Sequence, residues 1–327
     1  MSCSRFVLLP LVACSTLLLT GSIGPGRPAA GPRPAQAASA APLAPLSQPA
    51  PPPAPPADAG AEAALDRALA LLAPDRLRWL DVTLWQRITA GGLSCEAEGR
   101  YLAAPGRRFR LDLKTHHGGC PGALQVISDG TTLWQATKIG SGTWANYKRY
   151  RIEEVQEALD DPSTAPAVRD EFLRDQNCAG VLTVLPALRE RMTWYRRERV
   201  RRDGRLLVKL SATWRPVEAE ALVPPGMPWP DDLPRQVRLY LDPETSWPHR
   251  LEWWGPDPDR PGDSLLIQME FRDPVLNQPL SEERCAREFR PDADPGRFPE
   301  VTGSMTARIR ARSGQWYTQH VVAKPAQ

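Results

Sequence analysis

The heptapeptide SDGTTLW at residues 128–134 constrains the fold of this chain more than any other feature. Its Asp-Gly pair stands between two apolar runs, which is the pattern of a tight β-hairpin. Runs that alternate apolar and polar side chains occur on both sides of it. We therefore expect the chain to be built around an antiparallel sheet.

The alternating runs indicate that one face of this sheet is apolar. Phe109, Leu111 and Leu113 alternate with charged neighbours, and the same period of two recurs at residues 206–215, 237–241 and 265–272. Such alternation is typical of strands with one buried and one solvated face. Residues 64–72, 152–159, 163–179 and 181–188 are predicted helices that cover the apolar face, and they are too few and too short to pack all of it.

The N-terminus has the composition of an export signal followed by a tether. Arg5 precedes an apolar run that ends near Leu19, shorter than the ~20 residues of a membrane span. Residues 1–23 are therefore predicted to be a signal peptide or lipoprotein leader, and residues 24–61 a Pro/Ala-rich linker. We expect a periplasmic or otherwise extracytoplasmic protein that contacts a membrane only through its leader or a lipid anchor.

Cys14 ends the tetrapeptide LVAC, which resembles the lipobox of bacterial lipoproteins, whose cysteine is acylated. The alternative is a small residue inside an ordinary signal peptide, because the chain stays apolar after Cys14. The sequence leaves both interpretations open.

Four cysteines remain in the predicted mature domain, and in an oxidising compartment an even number favours disulfides. If residues 93–103 and 107–115 form a hairpin, Cys95 comes near Cys120, and Cys178 would then pair with Cys285. The residues alone do not select a pairing. A zinc site at Cys95, His116, His117 and Cys120 is the alternative, but the spacing matches no standard zinc module, and no metal is expected.

The charge distribution and the absence of catalytic motifs argue against nucleic-acid binding and against enzymatic activity. The formal net charge is only +3, and acidic residues interrupt the arginine-rich run at 189–205, which favours a solvated strand face over nucleic-acid binding. No G-x-S-x-G, H-E-x-x-H or phosphate-loop motif occurs. The acid pairs at residues 160–161 and 231–232 lie beside prolines, as in turns or helix caps. We therefore predict neither enzymatic activity nor a cofactor.

The order of these elements resembles the periplasmic outer-membrane lipoprotein carrier family. The resemblance rests on the predicted N-terminal helix, a Pro-Gly turn before RRFRLD at 107–112, the SDGTTLW heptapeptide, and FRD, NQPL and FRP at 271–273, 277–280 and 289–291. It spans residues 62–296, with Ala104 where the carriers have a lid-anchoring arginine and with an insertion at 217–234. The polar tail at 297–327 is expected to be disordered.

The resemblance implies an α+β fold: a curved antiparallel sheet, or incomplete barrel, with short helices covering its apolar concave face and acyl chains bound between them. Nine apolar residues are candidates for the cavity wall: Phe109, Leu111, Trp134, Val208, Trp214, Leu239, Trp253, Met269 and Phe271. The expected function is that of a monomeric, non-enzymatic binder or carrier of an acylated lipid or lipoprotein, served by an envelope transport partner.

A second hypothesis keeps the same sheet but moves the function to its outer face. In it, the protein is a tethered cell-envelope sensor or structural domain that binds a protein or peptidoglycan partner. Trp254 and the Trp194-Tyr195 pair are the candidate contact residues. Exposed aromatic side chains would favour this hypothesis, and an enclosed apolar cavity would favour the carrier hypothesis.

Overall fold

A computed structural model of the protein describes residues 55–317, except for 74, 91–92, 118–119, 141, 166–167, 170–181, 183, 224–226, 228, 231–232, 258–261 and 280. The predicted leader, Cys14, nearly all of the linker and most of the helix expected at 163–179 lie outside the described residues. In the described part, no helix combines the length and apolar character needed to cross a bilayer.

Eleven strands and six α-helices make up the described fold. The strands are β1 (Leu80–Ala90), β2 (Leu93–Ala104), β3 (Arg108–His117), β4 (Cys120–Asp129), β5 (Thr132–Ile139), β6 (Ala145–Arg151), β7 (Met192–Arg202), β8 (Arg205–Trp214), β9 (Gln236–Leu241), β10 (Pro248–Pro256) and β11 (Asp263–Leu276). The helices are α1 (Ala59–Leu72), α2 (Ile152–Asp160), α3 (Val184–Arg191), α4 (Pro216–Leu222), α5 (Glu282–Glu288) and α6 (Thr302–Tyr317).

All the strands belong to one antiparallel sheet with the order β6-β5-β4-β3-β2-β1-β11-β10-β9-β8-β7. Each half of the sheet is a meander, and the pairing of β1 with β11 joins the halves with Leu84 opposite Phe271. The sheet is open, with β6 and β7 at its edges. The predicted α+β class and the predicted antiparallel sheet are confirmed.

The sheet has a covered face and an outer face. The covered face carries the apolar residues of each strand, such as Leu84 on β1 and Leu239 on β9, and it packs against α1, α2 and α3 in one hydrophobic core. The outer face is dominated by ion pairs between neighbouring strands, for example Arg100 with Asp81 and Arg250 with Glu270. This division follows directly from the alternation in the sequence.

Gly99 allows two strands to approach unusually closely on the covered side. A Cβ atom at Gly99 would lie 1.7 Å from the carbonyl oxygen of Asp112 on β3. Only a residue without a side chain fits there, and interior strand glycines often mark tight bends of this kind. The sheet is curved rather than flat.

The C-terminal region differs from the predicted disordered tail. After α5, residues 289–300 cross the outer face of β1–β6, where Phe289 packs edge-on against Trp79 with ring centroids 5.9 Å apart. Glu300 then pairs with Arg149 at the β6 edge, and α6 follows. The polar composition misled the prediction because α6 buries a narrow stripe, Thr302, Met305, Ile309 and Ser313, and exposes its arginines. We call residues 289–300 the crossing segment.

Neither predicted disulfide is formed. Cys95 lies opposite His117 of β3, and Cys120 lies on the far side of the same residue, so two strand spacings of about 4.8 Å separate the two cysteines. That separation exceeds what a disulfide spans. The Cys95 thiol donates instead to the carbonyl oxygen of Glu96 at 3.9 Å, and Cys285 is a free thiol whose proposed partner, Cys178, lies outside the described residues.

Candidate functional site: an apolar cavity under the helices

The side chains of the described residues leave a space over one half of the covered face. Between β2, β3, β5, β6 and the three covering helices lies a cavity of about 940 Å³. Its wall is mainly apolar, with two tyrosines and a few polar groups at the rim. The wall includes Leu69, Leu72, Leu77, Tyr101, Ala103, Phe109, Leu133, Tyr150, Ile152, Val155, Leu159, Leu182 and Pro186. Its volume lies in the range typical of small-molecule sites.

The SDGTTLW heptapeptide holds the rim of this cavity in place. The Ser128 hydroxyl donates to the carbonyl oxygen of Arg107 at 2.7 Å. Gly130, with φ +98°, lets the turn at residues 105–107 come close, because a Cβ atom there would lie 2.2 Å from the carbonyl oxygen of Gly106. The motif that predicted a hairpin therefore also positions a second turn at the mouth of the cavity.

The same hairpin fixes the first residue of α2, which forms another wall. The Asp129 carboxylate accepts from the backbone N–H groups of Thr131 and Thr132 at 2.8 and 2.7 Å. The carbonyl oxygen of Thr131 in turn accepts from the N–H of Ile152 at 2.9 Å. Ile152 and Val155 then face the cavity. The heptapeptide thus connects two opposite sides of the mouth.

Helix α6 braces α2 from the side away from the cavity. Met305 and Ile309 are buried in the same core as Val155 and Leu159 of α2. The Thr302 hydroxyl accepts from the N–H of Arg151 at 2.9 Å, directly before α2 begins. Ser313 accepts from the N–H of Ala165 at 3.3 Å, beyond the end of α2. The position of α2 therefore depends on the C-terminal helix.

Apart from the hydroxyls of the two tyrosines, the polar side chains of the described cavity wall lie at its rim. Arg107, a non-glycine residue with φ +61°, lies there with Arg108, Gln156 and Asp160. Arg108 donates to the carbonyl oxygen of Pro105 at 2.8 Å, and Gln156 donates to the carboxylate of Asp160 at 2.9 Å. The apolar interior can bury hydrocarbon, while a polar end of a ligand would meet charged groups at the mouth.

The structure places one of the nine predicted wall residues at the cavity. Phe109 lines it, and Leu111 is buried two residues further along the same strand face. Six others are core residues of the other half of the sheet, where α1 packs on β7 and β8 and the segment around Trp229 and Leu233 joins the core. These six are Val208, Trp214, Leu239, Trp253, Met269 and Phe271.

Two of these six illustrate how tightly that half is packed. The Trp214 indole donates to the carbonyl oxygen of Pro234 at 2.7 Å, so the last residue of the insertion predicted at 217–234 lies against this side chain. Leu239 has no exposed surface. The described helices leave a space over one half of the sheet, whereas these six residues of the other half are buried in the core.

Trp134 lies on the opposite face from the cavity. It pairs with Ile127, which itself pairs with Arg110, so these three side chains share the outer face. Its neighbour Leu133 is the cavity residue. A shift of one residue along a strand exchanges the faces, and the more conspicuous aromatic residue was the wrong choice.

The residues that sequence reasoning missed are mostly on helices and on β2. Tyr101 and Ala103 alternate on β2 in the same way as the predicted strands, and this signal was available. Leu69 and Leu72 of α1 belong to the apolar stripe that predicted the helix. What the pattern could not indicate is which apolar residues face empty space and which face each other.

The site has no arrangement suited to chemistry among the described residues. No group of three or more His, Cys, Asp or Glu side chains there could hold a metal ion. The side chains of His116, His117 and Cys120, named in the zinc alternative, lie outside the described part of the chain. Asp161, from one predicted acid pair, has its pKa lowered by the hydroxyl and N–H of Ser163, as in a capping turn. Asp231 and Asp232 are not described.

The aromatic residues named in the partner hypothesis are more buried than it requires, and Trp194 lies on the covered face. Trp194 is completely buried. Trp254 is half-buried, and the guanidinium carbon of Arg238 lies 4.0 Å from its ring centroid. Burial raises the pKa of the half-buried Tyr195 hydroxyl. The aromatic residues of the second hypothesis therefore do not form an exposed patch.

The geometry defines an open antiparallel half-barrel with an apolar pocket between its sheet and its helices. Solved structures similar to this chain include the MucA/MucB complex of Pseudomonas aeruginosa, at 18% identity and a TM-score of 0.31 over 69% of this chain and 60% of the other. This chain thus spans less than two thirds of that protein. LprF from Mycobacterium bovis is similar at 13% identity and a TM-score of 0.32, over 69% of this chain and 97% of LprF.

A putative outer membrane lipoprotein-sorting protein domain from Vibrio parahaemolyticus is also similar, at 11% identity and a TM-score of 0.25, over 69% of this chain and 97% of the domain. Values this low assign neither ligand nor partner to this chain. No protein-family model and no curated protein matches it. The functional argument therefore rests on the cavity.

Proposed function

We propose that the protein is a non-enzymatic, extracytoplasmic binding or carrier protein that holds an acyl chain of a lipid or lipoprotein in the cavity between β2, β3, β5, β6 and the helices. The single observation that carries the proposal is the mainly apolar wall of a space of about 940 Å³ between the sheet and its covering helices. Apolar side chains of a domain normally fill its interior, so a space of this size is a binding-site candidate.

Hydrocarbon is the ligand chemistry that this wall favours. Each methylene group removed from water contributes about 0.8 kcal/mol and needs no polar partner. The interior of the wall offers leucines, Ala103, Phe109 and Val155, and its charged groups are confined to the mouth. A ligand with an apolar tail and a polar end fits this distribution, and a sugar or a peptide backbone does not.

The predicted leader supports an extracytoplasmic location for this binding protein. An export signal followed by a proline-rich tether would place the domain outside the cytoplasm, where acylated proteins and lipids travel through water only when a protein covers their chains. In this proposal the chain acts as a monomer, and an envelope transport partner delivers or accepts the ligand. No cofactor takes part.

The test combines detection of the natural ligand with a variant that fills the cavity. The mature chain without residues 1–23 is purified from its source envelope under mild conditions and analysed by native mass spectrometry for a co-purified acylated mass. The same protein, stripped of lipid, is titrated with a fluorescent fatty acyl probe. Bound lipid and saturable probe binding are the expected results.

Ala103→Phe is the variant that places a benzyl group in the cavity, because Ala103 lies on its wall. We expect probe binding to weaken at least about tenfold while the unfolding temperature hardly changes. Ala212→Phe is the matched control, because Ala212 is fully buried in the packed half of the sheet. The added ring has no space there and should lower the free energy of unfolding by about 1–3 kcal/mol. A lipid-free protein that binds no probe, or equal probe binding by Ala103→Phe and wild type, would overturn the proposal.

A further inference from the structure

The hairpin formed by β7 and β8 carries a concentration of positive charge that the cavity does not use. Residues 196–205 contain six arginines and two carboxylates, Glu198 and Asp203. Strand β7 is an edge of the sheet, so this hairpin protrudes with no strand beyond it. The rest of the outer face differs from this hairpin, because most arginines there are in ion pairs.

A β-bulge turns part of this charge toward the covered face. The register of β7 against β8 shifts between Trp194 and Arg196. Before the shift, Trp194 is buried beneath α1; after it, Arg199 lies opposite Val208 and Arg201 opposite Leu206. The arginines thus continue, beyond the end of the helices, the face on which the core residues lie.

Several arginines of this hairpin are not neutralised within the described part of the chain. Glu198 is engaged by Arg196 and Lys209, and Arg202 binds Glu252 at 2.9 Å. Arg199, Arg201 and Arg205 are exposed and form no ion pair with any described residue. Arg199 and Arg201 share one face of β7, and Arg205 lies at the start of β8 opposite Arg202, so this end of the hairpin concentrates positive charge that attracts an anionic surface.

An exposed apolar residue lies in the middle of this charge. Leu206, 46% exposed, is one of the few large apolar side chains on the described surface, and it is the cross-strand partner of Arg201. Basic side chains around an exposed leucine match the interface of an anionic bilayer, where phosphates meet acyl chains. A nucleic-acid site would instead call for exposed aromatic rings, and here Trp194 is buried.

We propose that the tip of the β7–β8 hairpin, formed by Arg199, Arg201, Arg205 and Leu206, docks the protein on an anionic phospholipid bilayer. The arginines bind the headgroup phosphates and Leu206 enters the interface. This inference is independent of the cavity, since none of these residues lines it. Docking would be reversible and would weaken with ionic strength, because exposed charges are screened by salt.

The experiment measures binding of the mature chain to vesicles by co-sedimentation. Vesicles of phosphatidylglycerol and phosphatidylcholine are compared with vesicles of phosphatidylcholine alone, at low and high salt. We expect binding only to the anionic vesicles and only at low salt. The variant Arg199→Gln/Arg201→Gln should bind about tenfold or more weakly, because each basic residue at such a surface strengthens binding several-fold.

The matched control is Arg287→Gln/Arg290→Gln, which removes the same charge from two exposed positions, one in the last turn of α5 and one at the start of the crossing segment. It should bind as the wild type does. Leu206→Ser should weaken binding without changing its salt dependence. Tryptophan fluorescence checks that each variant is folded.

Equal loss of binding in both arginine pairs would show an effect of net charge and would overturn the proposal. So would binding to heparin or single-stranded DNA in the absence of any binding to vesicles, since the hairpin would then serve another polyanion. Equal binding to neutral and anionic vesicles would also overturn it. Because the cavity is not altered in these variants, acyl-probe binding reports separately on the proposed carrier function.

Discussion

Arg110 on β3 and Asp292 in the crossing segment form a two-pronged ion pair across 182 residues of sequence, with Nη2 2.6 Å from Oδ2 and Nη1 3.1 Å from Oδ1. Gln125 donates to the same carboxylate at 3.1 Å. The pair fastens the crossing segment to the outer face of the meander whose covered face holds the cavity. It also lowers the pKa of Asp292, chiefly through the hydrogen bonds from Arg110.

Asp292→Asn should lower the free energy of unfolding by about 1 kcal/mol or slightly more at neutral pH, a modest value because the Asp292 side chain is largely exposed. The folded-state pKa is below the unfolded value of about 3.9, so the ionised pair stabilises above that pH and its contribution is lost as the pH falls through the folded pKa. The difference between variant and wild type should therefore shrink in acid.

Urea unfolding at several pH values, followed by tryptophan fluorescence, measures this difference. Glu96→Gln, in the exposed Arg87–Glu96 pair of β1 and β2, is the control and should change stability by less than about 0.5 kcal/mol. A pH-independent loss in Asp292→Asn would contradict an electrostatic role.

Gly130→Ala tests the link between the SDGTTLW heptapeptide and the cavity mouth. Its Cβ atom would collide with the carbonyl oxygen of Gly106, whereas a Cβ atom at Gly140, also in the left-handed region, would meet nothing within 4 Å. In both variants the left-handed backbone should lower the free energy of unfolding by about 1 kcal/mol. Any further loss of stability in Gly130→Ala therefore measures the collision.

We expect Gly130→Ala to be at least about 1 kcal/mol less stable than Gly140→Ala in thermal unfolding. It should also change acyl-probe affinity, since the turn at 105–107 must move. Equal stability of the two variants would mean that the turn gives way freely and that the heptapeptide does not hold the mouth.

Ile309→Ala tests whether α6 braces α2. Ile309 is completely buried, and removing such a side chain costs about 2–4 kcal/mol. Hydrogen exchange read by mass spectrometry compares the variant with the wild type. We expect the variant to accelerate exchange in α2, residues 152–160, more than in the β8–β10 core. Arg310→Ala, on the exposed side of α6, should leave both stability and exchange nearly unchanged. Uniform acceleration across the domain would indicate global destabilisation without a specific brace.

The sequence predicted what depends on local periodicity and missed what depends on how distant parts meet. Alternation located β3, β8, β9 and β11, because a period of two is enforced residue by residue. The choice of Trp134 over Leu133 failed because the pattern around a turn does not say which of two adjacent apolar residues faces inward.

The existence of a cavity could be predicted from the sequence, but its position could not. That short helices would leave part of the apolar face uncovered was foreseeable, but which half stays open depends on where α1 and the segment around Trp229 settle. The crossing segment was missed for a related reason. Its attachment rests on single long-range contacts, such as Tyr147 against Phe298 with ring centroids 4.9 Å apart, which leave no local period.

Glu252 lies on β10, in the half of the sheet that has no cavity. Its carboxylate is fully buried on the outer face and accepts from Arg250 Nε at 2.6 Å, Arg202 Nη1 at 2.9 Å, the Tyr240 hydroxyl at 2.9 Å and Trp254 Nε1 at 3.0 Å. Burial and, after it, the negative charge of Glu252 raise the pKa of Tyr240 to about 12.

Glu252→Gln should cost about 3 kcal/mol or more, because it removes the charge that compensates two arginines in a partly buried network. It should also lower the Tyr240 pKa only part of the way toward 10, since burial is the larger cause and persists. Because the folded-state pKa of Tyr240 exceeds the unfolded value, wild-type stability should fall as the pH rises from about 10 through the folded pKa.

Ultraviolet titration of tyrosinate absorbance, with Tyr240→Phe to assign the signal, measures this pKa, and urea unfolding measures the stability. Glu98→Gln on exposed β2 is the matched control and should alter neither. An unchanged Tyr240 pKa in Glu252→Gln would show that burial alone raises it and that the carboxylate of Glu252 contributes nothing to the titration of its neighbour.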